Sequence, residues 1–133
     1  MFNKNYPPLS AREEEIATII VDCAFKVHKA LGPGLLENVY EVCYCHELGK
    51  HPLKVLRQVV VPIAYDGMVF EDALRLDVLV DDLVICELKA VETLLAVHEA
   101  QLLSQLKLTG KRLGFLINFN VPLMKHGIKR FIL

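Results

Sequence analysis

The chain has 133 residues, 53% of them hydrophobic, with 16 acidic against 15 basic side chains and a net charge of −1, which is one domain's worth of chain with enough apolar content for a core of its own. A mean hydropathy of +0.36 is high for a soluble domain, yet no apolar run reaches the roughly 18 residues of a membrane span, so a large core or a subunit interface, with a homodimer among the outcomes, is expected in place of a membrane protein. The near-neutral charge excludes a uniformly basic nucleic-acid binder.

Met1-Phe2-Asn3-Lys4-Asn5-Tyr6-Pro7-Pro8 lacks the basic start and apolar stretch of a secretory signal, so a cytoplasmic chain is expected, a single domain over 1–133 with 1–10 as a flexible N-terminal arm. Ser10 followed by Glu13 forms a capping box, and Ile16, Ile19, Ile20, Cys23, Val27 and Leu31 recur at helical spacing, which predicts a helix over 11–31. Gly32-Pro33-Gly34 ends it, and a second amphipathic helix over 35–50 follows, stopped by Gly49 and Pro52. Val55 to Tyr65 reads as a strand, Asp66-Gly67 as a hairpin turn and Met68 to Val80 as the partner strand. After an Asp81-Asp82 turn come a third strand over 83–90, a helix over 92–109 stopped by Gly110, a buried strand over 112–119 and a last short one over 128–133. Cysteines 23, 43, 45 and 86 include no Cys-x-x-Cys pair, and Cys43 and Cys45, two apart on a helix, cannot face one metal together; structural zinc is not expected.

One feature stands out from this apolar background. Asp77 lies ten positions ahead of Glu87-Leu88-Lys89, both within strands of β-branched and aliphatic residues, where charges are costly unless they hold one another or a metal ion. Strand alternation puts Arg75 and Asp77 on one face and Leu74, Leu76 and Val78 on the other; Ile85, Glu87 and Lys89 likewise share a face. A turn centred on 81–83 pairs position 80 with 84, Asp77 with Glu87 and Arg75 with Lys89. Two facing carboxylates both stay ionised only with a cation between them, and oxygen ligands of this kind suit Mg²⁺ or Mn²⁺, with Lys89 placed to orient a water or stabilise developing charge. The same residues also fit a cross-strand ion-pair network that binds no metal. All acidic residues lie at or before Glu99, while Lys107, Lys111, Arg112, Lys125, Lys129 and Arg130 follow it; this end offers a basic surface for nucleic-acid phosphates, or is merely solvated.

Asp77, a turn, and Glu87-Leu88-Lys89 resemble the core of the PD-(D/E)XK nuclease superfamily. More narrowly, Leu31-Gly32-Pro33-Gly34-Leu35-Leu36-Glu37-Asn38-Val39-Tyr40 resembles the signature of the GxxExxY proteins placed in that superfamily, with likeness extending from about Ile16 to Ile132 through Ala100-Gln101-Leu102-Leu103, Leu108-Thr109-Gly110 and Gly127-Ile128-Lys129-Arg130. The resemblance implies an α/β fold with a mixed central β-sheet flanked by helices, a restriction-endonuclease-like core, and Mg²⁺-dependent hydrolysis of DNA. It implies metal binding by Asp77, Glu87 and the Leu88 backbone carbonyl, with Lys89 assisting the water, Glu37 as a helix-borne acid and Gln101 beside the lysine. Lys125, Lys129, Arg130 and Arg75 are the expected phosphate contacts. Gln105 departs from the family pattern, which has tyrosine there. A catalytically silent binding or accessory module, and an enzyme of another phosphate ester, remain open on the same scaffold.

Overall fold

Ser10 begins the first helix in the computed structural model, which describes residues 6–133. Its hydroxyl accepts the Glu13 N–H at 3.1 Å while the Glu13 carboxylate accepts the Ser10 N–H at 2.8 Å, so the capping box is formed reciprocally. Helix α1 (Ala11–Leu31) then buries Ile16, Ile20, Cys23, Ala24 and Val27 along one face. It stops at Gly32, whose φ of 68° suits a residue without a Cβ.

Helix α2 (Glu37–Leu48) starts two residues later than its apolar pattern suggests. The cause is Tyr40, whose hydroxyl donates to the Gly32 carbonyl at 2.6 Å and accepts the Leu35 N–H at 3.0 Å. Those bonds tie the bent 32–36 loop together and keep it out of the helix. The Tyr40 ring stacks on Phe119 at 4.9 Å, and Tyr44 meets the same ring edge-on at 5.8 Å, so the loop is tied to the core through one aromatic cluster.

Five strands form one mixed sheet in sequence order: β1 (Val55–Tyr65), β2 (Met68–Val80), β3 (Val84–Lys89), β4 (Leu113–Asn118) and β5 (Ile128–Ile132). Only β3 and β4 run parallel, and helix α3 (Ala96–Thr109) supplies the crossover that a parallel pair needs. Helices α1 and α2 cover one face over a core including Val78, Val80, Cys86, Leu88, Phe115 and Ile117. Helix α3 covers the other over Leu76, Leu79, Ile85, Leu102, Leu106 and Leu116. Buried on both sides, β3 and β4 read as nearly continuous apolar runs. No helix among the described residues is long and apolar enough to cross a membrane.

Several local expectations are corrected. Helix α3 begins at Ala96 instead of 92 because the Asn118 side chain binds Val91 at both its N–H (3.0 Å) and its carbonyl (2.9 Å), holding the start of the segment after β3 out of a helix; the His98 ring then accepts the Leu95 N–H at the new start. A short 3₁₀ turn, Met124–His126, had no sequence signal. Of the expected N-terminal arm, residues 1–5 lie outside the described residues, whereas Arg112 donates to the Pro7 and Pro8 carbonyls and Leu9 packs on the core, so that stretch is anchored.

The largest correction concerns β2. Positions 80 and 84 pair as expected, but the β2–β3 ladder ends at Val78–Cys86, and Arg75 pairs with Val60 on β1, not with Lys89. Simple alternation also fails: Leu74 and Leu76 pack with the α3 core while Val78 packs under α1 and α2. The face changes at Gln58, which lies between the pairs Arg57–Val78 and Val59–Leu76, beside Asp77, and adopts φ 52°. A left-handed residue in a strand resets which way its neighbours point, and the β1–β2 ribbon rolls as it leaves the sheet.

Gly127 closes the β4–β5 connection, its carbonyl accepting the Asn118 N–H at 2.7 Å. A Cβ there would sit 2.2 Å from the Asn118 carbonyl oxygen and 2.8 Å from Met124 and Val121 side-chain atoms. Gly127→Ala is expected to destabilise the domain by about 1–3 kcal/mol, read as a lower urea midpoint at unchanged slope.

Candidate active site

Where β2 parts from β3, the Leu88 N–H loses its neighbouring strand. The Asp77 carboxylate replaces it, with Oδ2 accepting that N–H at 3.0 Å. Glu87, the residue before, is only 7% exposed, and Lys89 places its Nζ 3.7 Å from Glu87 Oε2, an ion pair too long for a hydrogen bond. The expected trio of Asp77, Glu87 and Lys89 is thus brought together, by a fork in the sheet and a side-chain bond in place of the continuous ladder the register implied.

The electrostatics of this fork are unusual. Burial, and then the Asp77 carboxylate, push the Glu87 carboxyl up to about 8, with Lys89 pulling the other way. Glu87 Oε1 is buried without a hydrogen-bond partner among the described residues, and so is Gln105 Oε1 on α3. Buried acceptors without donors are costly. Glu37, in the first turn of α2, has its carboxyl raised by partial burial and by Asp77, against Lys89, which places it in the field of the same site. Glu37 and Glu87 therefore each feel Asp77 and Lys89.

Other expected residues fall differently. Gln101 is exposed and lines a cleft of about 470 Å³ between β2 and α3, together with Arg75, Glu87, Ser104 and Gln105. Lys129 and Arg130 point to opposite faces of the sheet because they are adjacent on β5; Lys129 pairs with Glu99 at 3.1 Å and Arg130 with Glu14. Lys125 sits on the exposed 3₁₀ turn beside the C-terminal half of α1. These three and Arg75 do not form one basic strip. Tyr40 serves the loop, and His28 is spent on the Val121 carbonyl at 2.7 Å.

Beside the site, Glu41 had not been singled out and Gln105 had been noted only as a departure from the family pattern. Glu41, buried one turn after Glu37, accepts Arg57 through Nε and Nη2 at 3.1 and 2.8 Å and Gln58 at 2.8 Å; the i, i+4 spacing from Glu37 was its only sequence signal. Gln105 is buried against Glu87 where Gln101, four residues before it, is not.

Among the described residues no three His, Cys, Asp or Glu side chains gather as a ready metal cage. Asp77, Glu87 and the Leu88 carbonyl nonetheless form an all-oxygen donor set of the kind that suits Mg²⁺ or Mn²⁺ with water completing the shell, and the partnerless Glu87 Oε1 fits a cation there. The family model described as the PD-(D/E)XK nuclease superfamily matches residues 14–131. No curated protein and no solved structure matches the chain.

The raised Glu87 carboxyl is a statement about stability. From its ordinary 4.5 to about 8, Glu87 is protonated in the folded chain and ionised in the unfolded one, so the unfolded state binds fewer protons and stability falls as pH rises through that window. Without divalent ions, Glu87→Gln is expected to match the wild type near pH 5 and exceed it at pH 8.5 by roughly 1–3 kcal/mol. Urea midpoints at the two pH values check this; equal differences at both would contradict it.

Proposed function

We propose that this chain, which belongs to the PD-(D/E)XK nuclease superfamily, is a metal-dependent nuclease that hydrolyses phosphodiester bonds of DNA and acts in the cytoplasm. The observation that carries this reading is the Glu87 carboxylate, buried with one oxygen lacking any partner, beside Asp77 and 3.7 Å from the Lys89 ammonium. The narrower likeness to the GxxExxY proteins rests on Gly34, Glu37 and Tyr40.

Asp77, Glu87 and the Leu88 carbonyl would hold a Mg²⁺ or Mn²⁺ ion, which supplies Lewis-acid polarisation of the scissile phosphate and offsets its charge. Asp77 is oriented for this by the Leu88 N–H, so its carboxylate needs no reorganisation when substrate arrives. Lys89 donates to the attacking water and steadies the negative charge that develops on the phosphate. Glu37, whose carboxyl is raised beside Asp77, stands on the α2 side of the site, where it can hold a proton or a water. Gln101 and Arg75 line the adjoining cleft and meet the substrate strand next to the reacting phosphate. Lys125 contacts more distant phosphates, and Lys129 and Arg130 do so by exchanging Glu99 and Glu14 for them.

Incubation with single- and double-stranded DNA and RNA in Mg²⁺ or Mn²⁺ tests the reading. Cleavage of DNA is expected, with Lys89→Ala slower by about 10²–10⁴-fold and Asp77→Asn comparably impaired. Cleavage that survives in Lys89→Ala at the wild-type rate would remove the assignment.

A further inference from the structure

The backbone at Gln58 is held against its own preference. Of the non-glycine residues with positive φ among those described, Asp66, Asp81 and Asp82 stand in turns, whereas Gln58, at φ 52°, lies inside β1. Aspartate tolerates the left-handed region through local hydrogen bonds; a glutamine within a strand has no such ease and stays there only where its surroundings force it. Glu41 supplies that force. Its carboxylate, buried on α2, accepts Gln58 Nε2 through Oε1 at 2.8 Å, and Arg57 Nε and Nη2 through Oε2 at 3.1 and 2.8 Å. Adjacent side chains of a regular strand leave on opposite faces, so one carboxylate grips both residues only with the backbone turned between them.

Across the ribbon from that turn stands Asp77. Arg57 pairs with Val78 and Val59 with Leu76, so Gln58 lies beside Asp77 where the pairing skips a position. On β2 the side chains change face at the same point, Leu76 packing with the α3 core and Val78 under α1 and α2. Asp77 is the pivot of that change, and its Oδ2 takes the Leu88 N–H at 3.0 Å. A regular β1 would leave β2 regular, with Leu76 and Val78 on one face.

We propose that Glu41 is a positioning residue for Asp77: by holding the left-handed turn at Gln58 it rolls β2 so that the Asp77 carboxylate meets the Leu88 N–H beside Glu87 and Lys89. Helix α2 then bears on both acids, presenting Glu37 from its first turn and aiming Asp77 through Glu41 one turn later. That the aim of Asp77 serves hydrolysis rests on the function proposed above; that Glu41 sets the aim does not.

Amide hydrogen exchange of the full chain, read by NMR at Leu88 and at Cys86 on the same strand, tests it. A glutamine offers one acceptor oxygen where glutamate offers two, so Glu41→Gln cannot grip both Arg57 and Gln58. It is expected to speed exchange at Leu88 about tenfold relative to Cys86, and Gln58→Gly added to it to restore the wild-type ratio, because glycine takes the left-handed turn without being held. A loss of protection shared equally by Leu88 and Cys86, or one that Gln58→Gly leaves uncorrected, means a merely structural ion pair and overturns the proposal. Should Glu41→Gln not fold by circular dichroism, the exposed position decides: Gln58→Ala, which keeps the Cβ but loses the bond to Glu41, should speed Leu88 exchange as Gln58→Gly does not, and equal protection in the two overturns the proposal. In DNA cleavage, Glu41→Gln should lower kcat about tenfold and leave KM within about twofold. A wild type that cleaves no DNA removes the nuclease reading, and Leu88 exchange still decides the role of Glu41.

Discussion

The hydrogen bond from the Leu88 N–H to Asp77 Oδ2 is the interaction on which the rest of the site depends. A buried N–H needs an acceptor, and at Leu88 the usual one, a carbonyl of the adjacent strand, is gone because β2 has turned away. Supplying it from Asp77 does two things at once. It lets β3 stay intact for one more residue beside β4, and it draws one carboxylate oxygen against the backbone between Glu87 and Lys89. The fork and the charged trio are one structural event, since a ladder continuing past Val78 would satisfy Leu88 without Asp77 and leave no opening for a substrate.

That event has a cost, and the cost is concentrated on Glu87. Its carboxyl is held near about 8 by burial and by Asp77, and one oxygen goes unpartnered. A domain that spends stability in this way, in the middle of an otherwise apolar sheet, keeps a site that is short of positive charge. By contrast Glu41, equally buried one helix away, is saturated by Arg57 and Gln58. The contrast separates a carboxylate saturated by its neighbours from one left with an unpartnered oxygen.

Much of this was legible in the chain, and the failures share one cause. Helix α1 announced itself through Ser10, Glu13 and a long apolar period because capping and amphipathicity are local properties. The Val80–Val84 pairing followed from a short turn, and the proximity of Asp77 to Glu87 followed in turn. What alternation could not reveal was the positive φ at Gln58: glutamine carries no mark of a left-handed backbone, so the switch of faces between Leu76 and Val78 was hidden. The late start of α3 was hidden likewise, since it is decided by Asn118, 27 residues from the Val91 it binds. Gln105 looked like a departure from a pattern, and only its burial against Glu87 gives it a place.

The segment from Gly32 to Tyr40 shows how a surface loop is made rigid enough to serve such a site. Tyr40 bonds both ends of the turn, to the Gly32 carbonyl and the Leu35 N–H, while its ring is stacked on Phe119. Phe119 follows the end of β4, its N–H bound to the Lys89 carbonyl at 3.0 Å. Asn120, next along, accepts the Gly34 N–H through its side chain at 3.0 Å. The backbone that carries Lys89 and the helix start that carries Glu37 are therefore joined through three consecutive contacts, so the spacing of the two residues is set by the core. Glycine at 34, with φ 100°, and tyrosine at 40 are required for that joint, and the glutamate between them is the residue it delivers.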